Sequence, residues 1–496
     1  MIHMTRFAFR MASLVAAAGL AACAAVGPDY KQPADALASQ PAAAKPFAEA
    51  PANSAPLPPH WWRLYHDPLL DKLVTQALAH NTDLRQAVAN LERERAIASE
   101  VAGAERPALG VSGGPSFGHV SGLSLLQKGY EPPSRFNYSA GASLSYQVDL
   151  FGQIRRSIEA AGASTEAAAA ALDLVRVNVA AGTARAYAEA CSTGLRLQIA
   201  EKSIALQQDA VNVTDRLQRA GRAGAIDTGR ARAQLQQLNA TVPSLKAERQ
   251  GALYRLATLT GALPQDFPRE VADCTVPPRV AGTLPVGDGA ALLRRRPDIR
   301  QAERSLAAST ARIGVATADL YPKVTLGLSA SSAGPAADFG RKDTMSWSMG
   351  PLISWTIPNT GIAQARIAEA EASTRGALAK FDGTVLTALR ETETALGAYA
   401  RELDRRAALQ ASRDESAKVA AQARQLYKNG RTAYLDALDA ERSLAASDAA
   451  LAASEAQLAD DQVVLFMALG GGWEPDEQSA PVAPVALGKN TTTVKQ

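Results

Sequence analysis

The chain has 496 residues, a formal net charge of +3, 47% hydrophobic residues and only 5% aromatic ones. That length allows several domains, and abundant Ala, Leu, Gln, Arg and Glu suit long helices packed through small side chains. The near-balanced charge offers neither a nucleic-acid surface nor an acidic tail. His3, His60, His66, His80 and His119 show no metal-ligand spacing, and no phosphate loop or nucleophile–base grouping suggests an enzyme, a metal or a cofactor.

Residues 1–22 read as an export signal. Arg6 and Arg10 form its basic part, and the apolar run 11–20 is too short to span a bilayer. It ends in Leu20-Ala21-Ala22-Cys23, which resembles a bacterial lipobox. That resemblance implies cleavage before Cys23 and covalent lipid on it, N-palmitoyl and S-diacylglycerol. Ala24 in place of Asp resembles lipoproteins sent to the outer membrane. Several acyl chains, at about 0.8 kcal/mol per methylene, would anchor the chain firmly. Residues 23–60, rich in Ala and Pro, are expected to be an extended tether. No later run of 18 or more apolar residues occurs, so a membrane crossing would require a closed β-barrel.

The body of the chain is duplicated. Asp83-Leu84-Arg85-Gln86-Ala87 returns as Asp298-Ile299-Arg300-Gln301-Ala302, an offset of 215 residues (83 to 298). Leu217-Gln218-Arg219-Ala220-Gly221-Arg222 returns as Leu426-Tyr427-Lys428-Asn429-Gly430-Arg431, an offset of 209 (217 to 426). Gly152 and Gly261 likewise match Gly361 and Gly470. One loop-length difference between Pro107 and Gly152, or in the matching stretch, accounts for both offsets.

In chain order, the first copy covers 61–263. It holds a helix over 82–104, strands at about 107–117 and 138–150, and a long helical hairpin, 153–262, turning at 221–225. A linker, 264–283, follows. The second copy covers 284–470, with a helix over 297–320, strands at about 322–332 and 344–357, and a hairpin, 362–469, turning at 430–433. Residues 471–496 read as a flexible tail. A helix of about 65 residues is a rod of roughly 100 Å and needs coiled-coil neighbours. The strands alternate in period two: Tyr138, Ala140, Ala142, Leu144, Tyr146 and Val148 are apolar, and their neighbours are small or polar. That pattern suits strands with lipid outside and water inside. Four strands cannot close a barrel; a trimer would supply about twelve, and a dimer about eight. Cys191 falls in a helix and Cys274 in a loop. They could pair in an oxidising periplasm, but two small, inert thiols are the expectation.

These features together resemble the TolC-type outer-membrane factors, closest to their lipidated, OprM-like (NodT-type) efflux branch. The motifs are Gly27-Pro28-Asp29-Tyr30, Trp61-Trp62, Asp67-Pro68-Leu69-Leu70, Asn81-Thr82-Asp83-Leu84, Asp149-Leu150-Phe151-Gly152, Arg295-Arg296-Pro297-Asp298-Ile299 and Leu438-Asp439-Ala440-Glu441-Arg442. The resemblance implies an α+β membrane protein: a homotrimer sharing a twelve-stranded outer-membrane β-barrel above a helical periplasmic tunnel. It also implies a periplasmic adaptor and an inner-membrane RND-type pump as partners, and passive conduction of small toxic compounds. The alternatives are a duct for an ATP-driven type I secretion system and a periplasmic coiled-coil scaffold lipoprotein.

The candidate gate lies at the second hairpin tip. Leu435, Asp439 and Arg442 share one helix face, and Asp436 precedes Asp439 by one turn. On a threefold axis each Asp would supply a ring of three carboxylates, favouring cations. The resemblance makes Asp439 the pore-facing constriction and Arg442 its tether. It also joins Tyr427 to Asp227 by a hydrogen bond across neighbouring hairpins. Thr432 stands where the family has a basic latch. Arg222 and Arg431, beside the tip glycines, are candidate adaptor contacts or capping residues. At offset 209, Asp227 matches Asp436 but Arg230 matches Asp439, so the acidic constriction belongs to the second copy.

Overall fold

The computed structural model describes residues 25–472, apart from 50–54, 56, 120, 122, 124, 125, 127, 281, 356, 358 and 359. The signal segment, Cys23 and residues 473–496 lie outside the described residues. The helices of eight residues or more are α1 (Pro68–His80), α2 (Thr82–Gly103), α3 (Gln153–Arg219), α4 (Ala225–Asn239) and α5 (Thr241–Leu259) in the first copy. After the short α6 (Arg269–Ala272) and α7 (Gly289–Arg295), the second copy adds α8 (Pro297–Ala318), α9 (Thr360–Lys428) and α10 (Tyr434–Ala468). The strands are β1 (Ala108–Gly118), β2 (Arg135–Val148), β3 (Lys323–Pro335) and β4 (Met345–Ser354). The chain divides into two compact units. Among the described residues, one comprises 25–36 with 90–169 and 301–382; the other comprises 37–89, 170–300 and 383–472.

The first unit contains one antiparallel sheet in the order β1-β2-β3-β4. The duplication sets its register. Ala108 pairs with Ser145; 215 residues after the first and 209 after the second lie Lys323 and Ser354, which are also partners. The offset difference therefore falls in the strand-joining loop, 119–134 in the first copy and 336–344 in the second. In the same unit α3 lies between α2 and α8. Thr165 Oγ1 donates to the Glu94 carbonyl at 3.4 Å on one side. On the other, Ala163 packs with Ala307 and Ala308, and Arg304 pairs with Glu166 at 3.0 Å.

The second unit holds the hairpins. Arg406–Glu455, Arg413–Asp448 and Arg424–Glu441, at 3.0, 2.8 and 2.9 Å, tie α9 to α10. Arg196–Glu248 and Arg232–Asp215, at 2.8 and 3.0 Å, do the same for α3 and its return helices. Such surface pairs contribute about 0–1 kcal/mol each, so they align the helices more than they stabilise them. The end of α10 packs into a buried aromatic cluster in which Trp61 stacks on Phe466 at 4.7 Å. Part of α3 is long and apolar enough to cross a bilayer by length and composition, with mean hydropathy 1.2 over 18 residues. Half of that window is buried against the rest of the chain, so its apolar character serves helix packing.

Three expectations are corrected. The first return helix is broken at Ala240, where α4 ends and α5 begins. Pro243 lies in the first turn of α5, where its missing N–H is harmless, but it cannot sit inside a continuous helix. The described part of 23–60 is not a loose tether. Val26 N–H donates to the Phe151 carbonyl at 3.0 Å, buried Arg156 donates to the carbonyls of Val26 and Gly27 and to Asp29, and Tyr30 donates to Glu303 at 2.6 Å. Farther on, Ala36, Phe47 and Leu57 are buried.

The third correction concerns the cysteines. Cys191 and Cys274 form a disulfide across 83 residues, clamping the inter-copy linker to α3. One turn on from Cys191, a Cβ on Gly194 would strike the Cys274 carbonyl, so only glycine lets the linker lie this close. Closing a loop of that length stabilises the fold by up to about 4 kcal/mol. Cys191→Ala/Cys274→Ala should therefore lower stability by about 2–4 kcal/mol in detergent, measured by chemical unfolding. An unchanged midpoint would remove the clamp from the stabilising contacts.

Candidate functional site

The sheet presents two chemically different faces. The register lines up Leu109, Leu144, Leu328 and Met349 in one row, and Val111, Ala142, Ala330 and Trp347 in the next. On the opposite face Ser143, Ser329 and Ser348 are aligned, as are Ser331 and Ser346, with Ser–Ser hydrogen bonds of 2.9 and 2.8 Å across β3 and β4. Among the described residues nothing covers the apolar face: Val111 is 81% exposed and Trp347 78%. At about 25 cal/mol per Å² of apolar surface, leaving this face in water is costly, and hydrocarbon removes the cost. Asp319 joins sheet to helices. It accepts from Gln153 at 2.9 Å and pairs with Lys323 and Arg366 at 3.2 and 3.0 Å. Sequence reading missed this hub because Asp319 aligns with Ala104 and so falls outside the repeated pattern.

Both hairpin tips are built alike. Gly221 and Gly430 have positive φ, +71° and +67°, and end their helices in matching motifs. In each, the following arginine's N–H donates back to a leucine carbonyl: Arg222 to Leu217 at 2.8 Å and Arg431 to Leu426 at 2.9 Å. The capping is done by backbone, and both arginine side chains are exposed. Asp227 and Asp436 sit in the first turns of α4 and α10, where negative charge suits the helix dipole. Asp227 accepts from the Gly224 N–H at 3.4 Å, and Asp436 accepts from the Thr432 hydroxyl at 2.5 Å.

The tips enclose a groove of about 560 Å³ lined by Arg222, Asp227, Tyr427, Tyr434 and Leu435, among others. Tyr427 and Asp227 thus share a groove, but within one copy they are not hydrogen-bonded; Asp227 is engaged as a cap. The Tyr427 ring instead packs on Tyr434, with centroids 5.1 Å apart. Burial first, with Glu441 and Tyr427 nearby, pushes the Tyr434 hydroxyl well above its ordinary pKa, so it stays protonated. Asp439 and Arg442 are exposed and make no ion pair with each other. Among the described residues Asp439 has no side-chain partner; only its carbonyl is used, by Ser443 at 3.0 Å. Two acids therefore differ in role: Asp436 is tied into its turn, and Asp439 is free to act elsewhere.

The family model for outer membrane efflux protein matches residues 73–262 and again 290–471. The chain belongs to the outer membrane efflux protein family. Nodulation protein T of Rhizobium leguminosarum bv. trifolii is 31% identical over 91% of this chain and 95% of its own length. The toluene efflux pump outer membrane protein TtgI of Pseudomonas putida is 30% identical over 94% of this chain and 98% of its own. The solved outer-membrane channel OprN matches with a TM-score of 0.81 and 36% identity, covering 91% of this chain and all of that one. This efflux protein is accordingly an outer-membrane channel component, and the exposed apolar face of its sheet has the chemistry of a lipid-facing surface.

That reading predicts an asymmetry between faces. Met349→Lys should deplete the outer-membrane fraction strongly, because a charge at bilayer mid-depth costs about 2–4 kcal/mol. Ser348→Lys, on the other face, should leave it near the parent level. Equal behaviour of the two variants in fractionated membranes would contradict the assignment of faces.

Proposed function

We propose that three copies of this chain close a twelve-stranded barrel in the outer membrane, with their hairpins forming a helical tunnel in the periplasm. The assembly is the passive exit duct of a tripartite efflux system. An inner-membrane RND-type pump and a periplasmic adaptor deliver small toxic compounds to it. The observation that carries this reading is the four-stranded sheet, apolar on one face, serine-lined on the other, and open at both edges. Four strands are too few to close alone, and cyclic repetition closes them. The name of the Pseudomonas putida relative, a toluene efflux pump component, supports small apolar cargo.

Lipid on Cys23 would add a second anchor beside the barrel. The adaptor would meet the hairpin tips, where the Arg222 and Arg431 side chains are exposed. The gate of this duct is the start of α10. Asp439, without a side-chain partner in one copy, would face the axis as a ring of three carboxylates that narrows the tube and holds cations. Leu435 and Arg442 lie on the same helix face, and Asp436, held by Thr432, forms a second acidic ring one turn away.

Planar-bilayer recording tests this reading. Asp436→Ala/Asp439→Ala should raise single-channel conductance severalfold and abolish block by divalent cations. Parent-like conductance with intact cation block would contradict the acidic gate.

A further inference from the structure

The second unit holds a cavity of about 650 Å³ between the inter-copy linker, the residues leading into α1, and the helices α3, α9 and α10. Cys274, bonded to α3 through its disulfide, brings Pro277 and Pro278 of the linker to one wall, and Pro68 adds to the apolar lining. The acids of this cavity are engaged. Asp67 accepts from the N–H groups of Leu69 and Leu70, at 2.9 and 3.2 Å, and from the Tyr187 hydroxyl at 2.7 Å. Glu455 accepts from Arg406 Nη2 at 3.0 Å. The donors are not all engaged. The Tyr65 hydroxyl and Arg406 Nε are buried, and among the described residues neither has a hydrogen-bond partner. Tyr65 as a whole is only 8% exposed. Burial first, with Tyr399 nearby, pushes its hydroxyl well above its ordinary pKa, so it stays a protonated donor. Arg279, exposed on the linker, has no ion pair among the described residues. A buried donor without an acceptor forfeits its bonds with water and is rare in folded chains, so two on one cavity call for an acceptor from outside the chain.

Packing alone does not ask for polar groups at these places. At the offset of 209 residues (197 to 406 and 187 to 396), Arg406 matches Leu197 and Tyr187 matches Leu396, and both leucines are buried. The scaffold accepts aliphatic side chains there; the hydroxyl and the guanidinium are particular to this cavity. We propose that the cavity binds a small organic carboxylate, with the Tyr65 hydroxyl, Arg406 Nε and Arg279 donating to the carboxylate and the three prolines covering its apolar body. A guanidinium carries five N–H donors, so Arg406 holds Glu455 through Nη2 and still offers Nε. Hydrogen bonds to an ionised acceptor are the stronger kind, which favours a carboxylate over a neutral carbonyl. The volume falls in the range of about 300–1,000 Å³ usual for small-molecule sites. A bound carboxylate ties the linker, the entry to α1 and the second hairpin together. The site uses neither the sheet nor the hairpin tips, so it goes beyond the exit-duct reading and stands independently of it.

Calorimetric titration of the detergent-purified full chain with benzoate, benzamide and acetate tests the site. Benzoate should bind; benzamide, which lacks the charge, and acetate, which lacks the body, should bind about tenfold more weakly or less. Tyr65→Phe keeps the ring and removes one donor, and should weaken benzoate binding about tenfold; Tyr65→Phe/Arg279→Gln should weaken it about a hundredfold. Without ligand, Tyr65→Phe should unfold no earlier than the parent, because it removes an unpartnered buried donor, so lost binding is not lost folding. Failure of the parent to bind benzoate, equal binding of benzoate and benzamide, or undiminished binding by the double variant would each overturn the site.

Discussion

A backbone N–H or C=O that enters hydrocarbon must find its partner within protein, because no water is there to supply one. This constraint bears on the whole chain through its sheet. The apolar rows led by Leu109 and Val111 suit the bilayer, yet β1 and β4 each keep one unpaired edge. A monomer would carry those open edges into lipid. The sheet is therefore an incomplete object whose chemistry demands more strands of the same kind, and the simplest source is another copy. In the proposed barrel the serine-lined face is the inside, where hydroxyl pairs such as Ser329–Ser348 can face water.

Duplication is how the chain meets that demand economically in design. Two offsets, one up to the end of the first strand and one from the second strand onward, reproduce the strand pairing from the first copy to the second. Where the copies agree, they build scaffold: the tip glycines, the leucine-capped helix ends, the long helices. Where they disagree, the difference is informative. Asp319 replaces Ala104 at the junction of sheet and helix, Asp439 replaces Arg230 near the tip, and Glu92 stands where Ala307 is buried. The first ties parts of one chain together, the second leaves a carboxylate unpartnered, and the third keeps an outer face wetted.

Much of this was legible in the sequence because it is periodic. Alternation marked the strands to within a few residues, and the repeated motifs marked the helices. What escaped depends on close approach in three dimensions. The Cys191–Cys274 bond requires the linker to lie on α3, and the glycine that permits it, Gly194, carries no local signature. The N-terminal segment looked like a tether from its Ala and Pro content, but buried Arg156, far along the chain, gathers its carbonyls. The break in the first return helix goes with Pro243, which has no backbone N–H to continue a helix through that point. Asp227 also caps the first turn of α4, a local role that follows from its position three residues after Gly224.

Amide hydrogen exchange of the lipid-reconstituted protein tests the central claim most directly. If copies close the sheet, amides on the outer edges of β1 and β4 exchange as slowly as those of β2 and β3. Fast exchange confined to β1 and β4, with β2 and β3 protected, would mean that the edges stay open and would contradict the account.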